Sequence, residues 1–78
     1  MKLSAHIADY TERAVIALTS SNLSRRDITT GREAWQIAHR AGIVRHAYDI
    51  DRSITDAHVQ TALEAIFPYA VFKDKKRY

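Results

Sequence analysis

The 78-residue chain has no cysteine, which excludes disulfide staples, thiolate catalysis and cysteine-ligated zinc, and is compatible with a reducing compartment. It has one proline, Pro68, and two glycines, Gly31 and Gly42, so few positions oblige the backbone to leave a helix. Its longest apolar stretches, such as Ile66-Phe67-Pro68-Tyr69-Ala70-Val71-Phe72, fall far short of the roughly 18 residues a membrane span needs. No charged-then-apolar leader opens it. The expectation is a cytoplasmic protein with no membrane contact.

Apolar side chains are plentiful, at 46% of the residues, which argues for a packed core and against disorder. A chain this small buries proportionally less surface than a large one, so its stability must come from tight packing or from self-association. The formal charge of +3 is unevenly placed: Lys73, Lys75, Lys76 and Arg77 against Asp74 carry all of it. Residues 1–72 are electrically balanced and read as a single helical domain, and residues 73–78 as a flexible basic tail.

Helical periodicity is the main local signal. Leu3, Ile7, Tyr10, Ala14, Ala17 and Leu18 recur on one stripe, predicting a helix over about 4–19. Val15 and Ile16 fall outside that stripe, so either this helix is covered on more than one side or one of them meets a second subunit, and ordinary burial is the preferred reading. The polar run Thr19-Ser20-Ser21-Asn22 ends it. A second helix, about 24–41, has two possible starts, Ser24 with Asp27 three residues on or Thr30 with Glu33 three residues on; one long helix and a turn plus helix both fit. Trp35 is its core anchor, placed near the core edge to give its indole N–H a polar partner. Gly42 suits the left-handed position beyond the helix end.

Ile43, Val44, Ala47, Tyr48 and Ile50 fit a short helix or an extended connection, and one helical turn followed by loop is the preferred reading. Ile54-Thr55-Asp56 carries the clearest start signal: Thr55 as N-cap, Asp56 at the positive helix end, and Ile54 stapled onto Val59. The resulting helix runs over about 56–67 and stops before Pro68. The fold class is therefore all-α, a small bundle of three main helices with room for a short fourth and a basic C-terminal tail. Ser24-Arg25-Arg26-Asp27-Ile28, Arg32-Glu33-Ala34 and Ile54-Thr55-Asp56 through Ala62-Leu63 together resemble the small helical lid of AAA+ ATPases over about half the chain. Such lids usually have Gly where Arg25 stands, and the Asp27 to Glu33 spacing is one residue short. The resemblance implies a helical architecture; with no nucleotide-binding core beside it, it implies no ATP hydrolysis.

The motifs of chemistry are missing: there is no GxSxG, GxxxxGK[ST], GxGxxG or HExxH. His6, His39, His46 and His58 lack the spacing of a metal site, and Asp49 and Asp51 lack the remaining oxygens of a calcium loop. The chain is expected to be non-enzymatic and to need no cofactor. Two binding readings remain. Val15, Ile16, Phe67, Tyr69 and Phe72 are residues of the kind that anchor interfaces when exposed, which suggests a protein–protein interaction or regulatory module whose partner is another protein or a second copy. Arg25, Arg26 and Arg32 with Lys73, Lys75, Lys76 and Arg77 suggest the alternative, a nucleic-acid-binding accessory protein. In that alternative a helix-turn-helix would present Arg32, Gln36 and Arg40 to base edges.

Overall fold

A computed structural model describes residues 6–72. The basic tail at 73–78, with Lys73, Lys75, Lys76 and Arg77, and the expected helix start at residues 4 and 5 lie outside the described residues. The first helix, α1, spans Ile7–Thr19 and buries Tyr10, Ala14 and Leu18, the expected stripe. Its end is set by local chemistry. Asn22 adopts a positive φ of 57°, its amide donates to the Thr19 carbonyl at 3.1 Å, and Leu23 N–H reaches back to the Leu18 carbonyl at 3.0 Å. This pair of bonds satisfies carbonyls that the helix leaves orphaned, and Asn is one of the few non-glycine residues that tolerates the conformation.

The expected helix over 24–41 is divided, because both start signals are used. The Ser24 amide donates to Asp27 Oδ2 at 2.7 Å, closing a single 3₁₀ turn at Arg25–Asp27. Ile28 then takes an extended conformation and is buried. Thr30 starts α2, Gly31–Arg40: its hydroxyl accepts from the Glu33 amide at 3.1 Å, and Glu33 Oε1 accepts from the Thr30 hydroxyl at 3.0 Å.

Gly42, at φ +74°, turns the chain out of α2. The segment after it forms α3, Ile43–Ile50, a full helix where one turn and a loop are expected, so the bundle has four α-helices among the described residues. The last, α4, spans Asp56–Ile66 and buries Val59, Ala62, Leu63 and Ile66. At its start His58 takes the place usually held by Glu or Gln: Nδ1 accepts from the Thr55 amide at 3.1 Å. Past Pro68 the chain returns to the N-terminus of α2, where Val71 N–H donates to the Thr29 carbonyl at 3.0 Å and Gly31 N–H donates to the Val71 carbonyl at 2.9 Å.

α1 packs against α2, α3 and α4, and α2 packs against α3 and α4, around one core whose largest fully buried members include Trp35, Tyr10 and Phe67. Trp35 is fully buried, and the polar partner expected for its indole N–H is not found: Nε1 has no acceptor among the described residues. No described helix is long and apolar enough to cross a membrane.

Candidate functional site

With Tyr10, Ala14 and Leu18 committed to the core, helical geometry turns Glu12, Val15, Ile16 and Thr19 outward. Val15 is 43% and Ile16 65% exposed. Fixed by the turn after α1, Leu23 adds a third large apolar side chain to the surface at 42%. An open cleft lies on each side of this stretch. One, of about 420 Å³, is lined by Arg13, Ile16, Ala17, Ser20, Arg40 and Ala41, where the end of α2 meets α1. The other, of about 280 Å³, holds Val15, Leu18, Thr19 and Leu23 beside Ser24 and Arg25. The outward half of α1 and the turn after it thus carry an apolar strip, Val15, Ile16 and Leu23, between arginines and beside the polar Glu12 and Thr19.

The charges on this strip differ in how far they are matched. Arg13 Nε donates to Asp9 Oδ2 at 3.0 Å, and the same oxygen lies 3.6 Å from His46 Nε2. Arg40 Nη1 reaches only the Ser21 hydroxyl, at 3.4 Å, and has no carboxylate partner among the described residues. Glu12 likewise has no cationic partner among them.

A further cleft, of about 410 Å³, is lined by Ser24, Arg25, Arg26, Ala65, Pro68 and Tyr69. It joins residues predicted for two different roles, the arginine pair and one of the aromatic group. Arg25 Nη1 donates to the Ile66 carbonyl at 3.4 Å, so one guanidinium is turned onto the C-terminal end of α4. Tyr69 is 58% exposed. The other two aromatics lie elsewhere. Phe67, the residue that caps α4 just before Pro68, is fully buried in the core and so is not available to a partner. Phe72 is half-buried and packs against the same core.

Arg32 is exposed on the first turn of α2 and lines none of these three clefts. Arg32, Gln36 and Arg40 do share the solvent side of α2. However, the connection from α1 runs over residues 20–30 and contains a 3₁₀ turn, unlike the three- or four-residue turn of a helix-turn-helix.

Titratable groups gather once more, where His6, Tyr10 and His46 bring their rings within 5.7–6.4 Å of one another beside Asp9. Burial pushes the Tyr10 phenol above its ordinary value, the Asp9 charge pushes the same way and Arg13 opposes them. Among the described residues, no three His, Asp or Glu side chains converge as metal ligands. Asp51 caps its own loop: Oδ1 accepts from the Ser53 hydroxyl at 2.6 Å and the Ser53 amide at 2.9 Å, and these bonds hold its carboxyl below the usual range.

The sequence singles out Val15 and Ile16 because they break the stripe, but the burial preferred for them there is not what they have: both are exposed, since no other element covers that side of α1 among the described residues. It does not single out Glu12 and Arg13, polar residues of α1 itself, or Leu23, whose exposure depends on the turn at Asn22, and it names Arg40 only as a base-edge reader, since its place beside α1 depends on how the end of α2 lies. No family model matches the chain, and no curated protein or solved structure matches it. The likeness of its capping segments to AAA+ lids therefore speaks for helices and caps alone.

Proposed function

We propose that this protein is a small non-enzymatic interaction or regulatory module that binds another polypeptide chain through the outward half of α1. The observation that carries this reading is the exposure of Val15, Ile16 and Leu23 together, between two clefts, on a helix whose other face is fully engaged. Scattered single apolar residues are normal on a surface, whereas a contiguous group with arginine at its rim has the composition of an interface. Among the described residues, those lining the clefts beside α1 include no histidine or carboxylate to act as a base, which supports binding over catalysis.

A benzophenone-bearing residue substituted at position 16, photolysed in cells that make the protein, tests the reading. The expected product is an adduct to a polypeptide chain that does not form from position 61, exposed on α4. Equal labelling from both positions, or none from position 16, overturns it.

A second reading, binding of nucleic acid, is favoured by one observation: Arg25, Arg26 and Tyr69 line a common cleft, pairing cationic groups with a ring on which a base can stack. Its test is a titration with single-stranded and duplex DNA and RNA at two salt concentrations. The expected result is binding that weakens steeply with salt and is lost in Arg26→Glu. No salt-sensitive binding in the parent protein removes this reading.

A further inference from the structure

The contact face on α1 raises the question of what covers it. Resting on that reading, we infer that a second copy of this chain docks there, α1 against α1, antiparallel about a two-fold axis near Ile16.

The first argument is shape. Ile16 stands beside an open cleft with Ala17 and Ala41 among its walls, and small side chains leave room for a branched one. A two-fold axis near Ile16 offers each isoleucine the other copy's cleft. One exposed side chain and one neighbouring hollow then satisfy each other twice, as an isologous interface requires.

The second argument is charge. In an antiparallel pair, positions equally far before and after the axis come level. Glu12 and Ser20 lie four residues on either side of Ile16, about 6 Å each along the helix. Arg40 lines the cleft beside Ser20 and has no carboxylate partner among the described residues, and Glu12 has no cationic partner among them. The antiparallel arrangement brings each Glu12 level with the other copy's Arg40, so two ions unpaired among the described residues of one copy become two matched pairs in the dimer. A parallel arrangement sets Glu12 against Glu12 and Arg40 against Arg40, which repels. Arg13, already held by Asp9, needs no partner across the axis.

Val15 and Leu23 extend the apolar strip past the axis. They give the contact a breadth that Ile16 alone does not supply.

The experiment is sedimentation equilibrium of the full chain and four variants over a wide concentration range, with far-ultraviolet circular dichroism as the check on folding. The parent protein is expected to dimerise, and Ile16→Asp to sediment as a folded monomer, since position 16 takes no part in the core. Glu12→Arg and Arg40→Glu are each expected to weaken the dimer by at least about tenfold, because each variant sets like charges together at two symmetric places. The double variant exchanges the two charges and is expected to return to within about threefold of the parent. A parent protein monomeric at about 1 mM overturns the inference. An Ile16→Asp protein that dimerises like the parent overturns it too, and so does a double variant no stronger than the weaker single one. If the parent is monomeric and the photolabel at position 16 captures a different polypeptide, self-association fails while the contact face on α1 stands.

Discussion

Tyr48 donates its hydroxyl to Asp56 Oδ1 at 2.5 Å, joining the last turn of α3 to the first residue of α4. Both side chains are half-buried, and the acceptor is a carboxylate at a helix N-terminus, where negative charge is already favoured. Hydrogen bonds to charged acceptors contribute more than neutral ones, so Tyr48→Phe is expected to lower the unfolding free energy by about 1–2 kcal/mol. Urea denaturation measures this. A loss too small to detect would mean that water serves Asp56 equally well.

That bond also explains why α3 is hard to read in the sequence. Ile43–Ile50 is too short to be stable by itself, and its buried residues Ile43, Val44 and Ala47 are few. The segment is held in helical form by α1 and α2, against which it packs, and by Asp56 through Tyr48, none of which is visible locally. α1, α2 and α4 are legible because each announces itself within its own residues: a stripe, a Thr30–Glu33 cap, a Thr55 start. The face proposed for binding is legible in part for the same reason. Val15 and Ile16 break a local pattern, whereas Arg40 meets α1 only through the crossing of two helices.

Gly42 provides a measure of pure backbone strain. A methyl group built on it would meet nothing within 4 Å, so space does not oppose a larger residue, but its φ of +74° does. Gly42→Ala is expected to cost about 1 kcal/mol, the conformational penalty of a left-handed residue with a Cβ. Asn22, at φ 57°, supplies the opposite case: Asn22→Gly relieves the strain and is expected to be neutral or to stabilise by up to about 1 kcal/mol. Thermal melts of the two variants should shift in opposite directions or, for Asn22→Gly, not at all. A Gly42→Ala protein as stable as the parent would contradict the assigned turn.

Tyr10 is buried with its hydroxyl lacking a partner among the described residues. Removing a buried, unmatched hydroxyl leaves the ring packing in place, so Tyr10→Phe is expected to be neutral or to stabilise by up to about 1 kcal/mol. The pH dependence follows from the same burial. Desolvation, aided by Asp9 and opposed by Arg13, raises the phenol above its ordinary value of 10.0. The folded state therefore favours the neutral phenol. That contribution is fully present below the unfolded value and is lost as pH rises through the higher folded value. Stability followed by denaturant at increasing alkaline pH should fall in the parent and fall less in Tyr10→Phe. Parallel curves would show that another group governs the alkaline limb.

Trp35 tests how far the core depends on one side chain. It is the largest fully buried residue, it sits on α2, and α2 packs against each of the other three helices. Truncating a buried aromatic removes its transfer free energy and leaves a cavity, so Trp35→Ala is expected to cost about 3–5 kcal/mol. Domains of this size have total stabilities on the order of 4–12 kcal/mol, so that loss takes a large share of the whole. Trp35→Phe separates the two roles of the ring. It keeps much of the packing and deletes an indole N–H that has no acceptor among the described residues, so its cost should be well below that of the alanine variant. If Phe is as damaging as Ala, the N–H is bonded in solution and the core is more polar at its centre than its residues imply. If both variants melt with the parent, Trp35 is no anchor and the packing of α2 rests on Ala34, Ile37 and Ala38 instead.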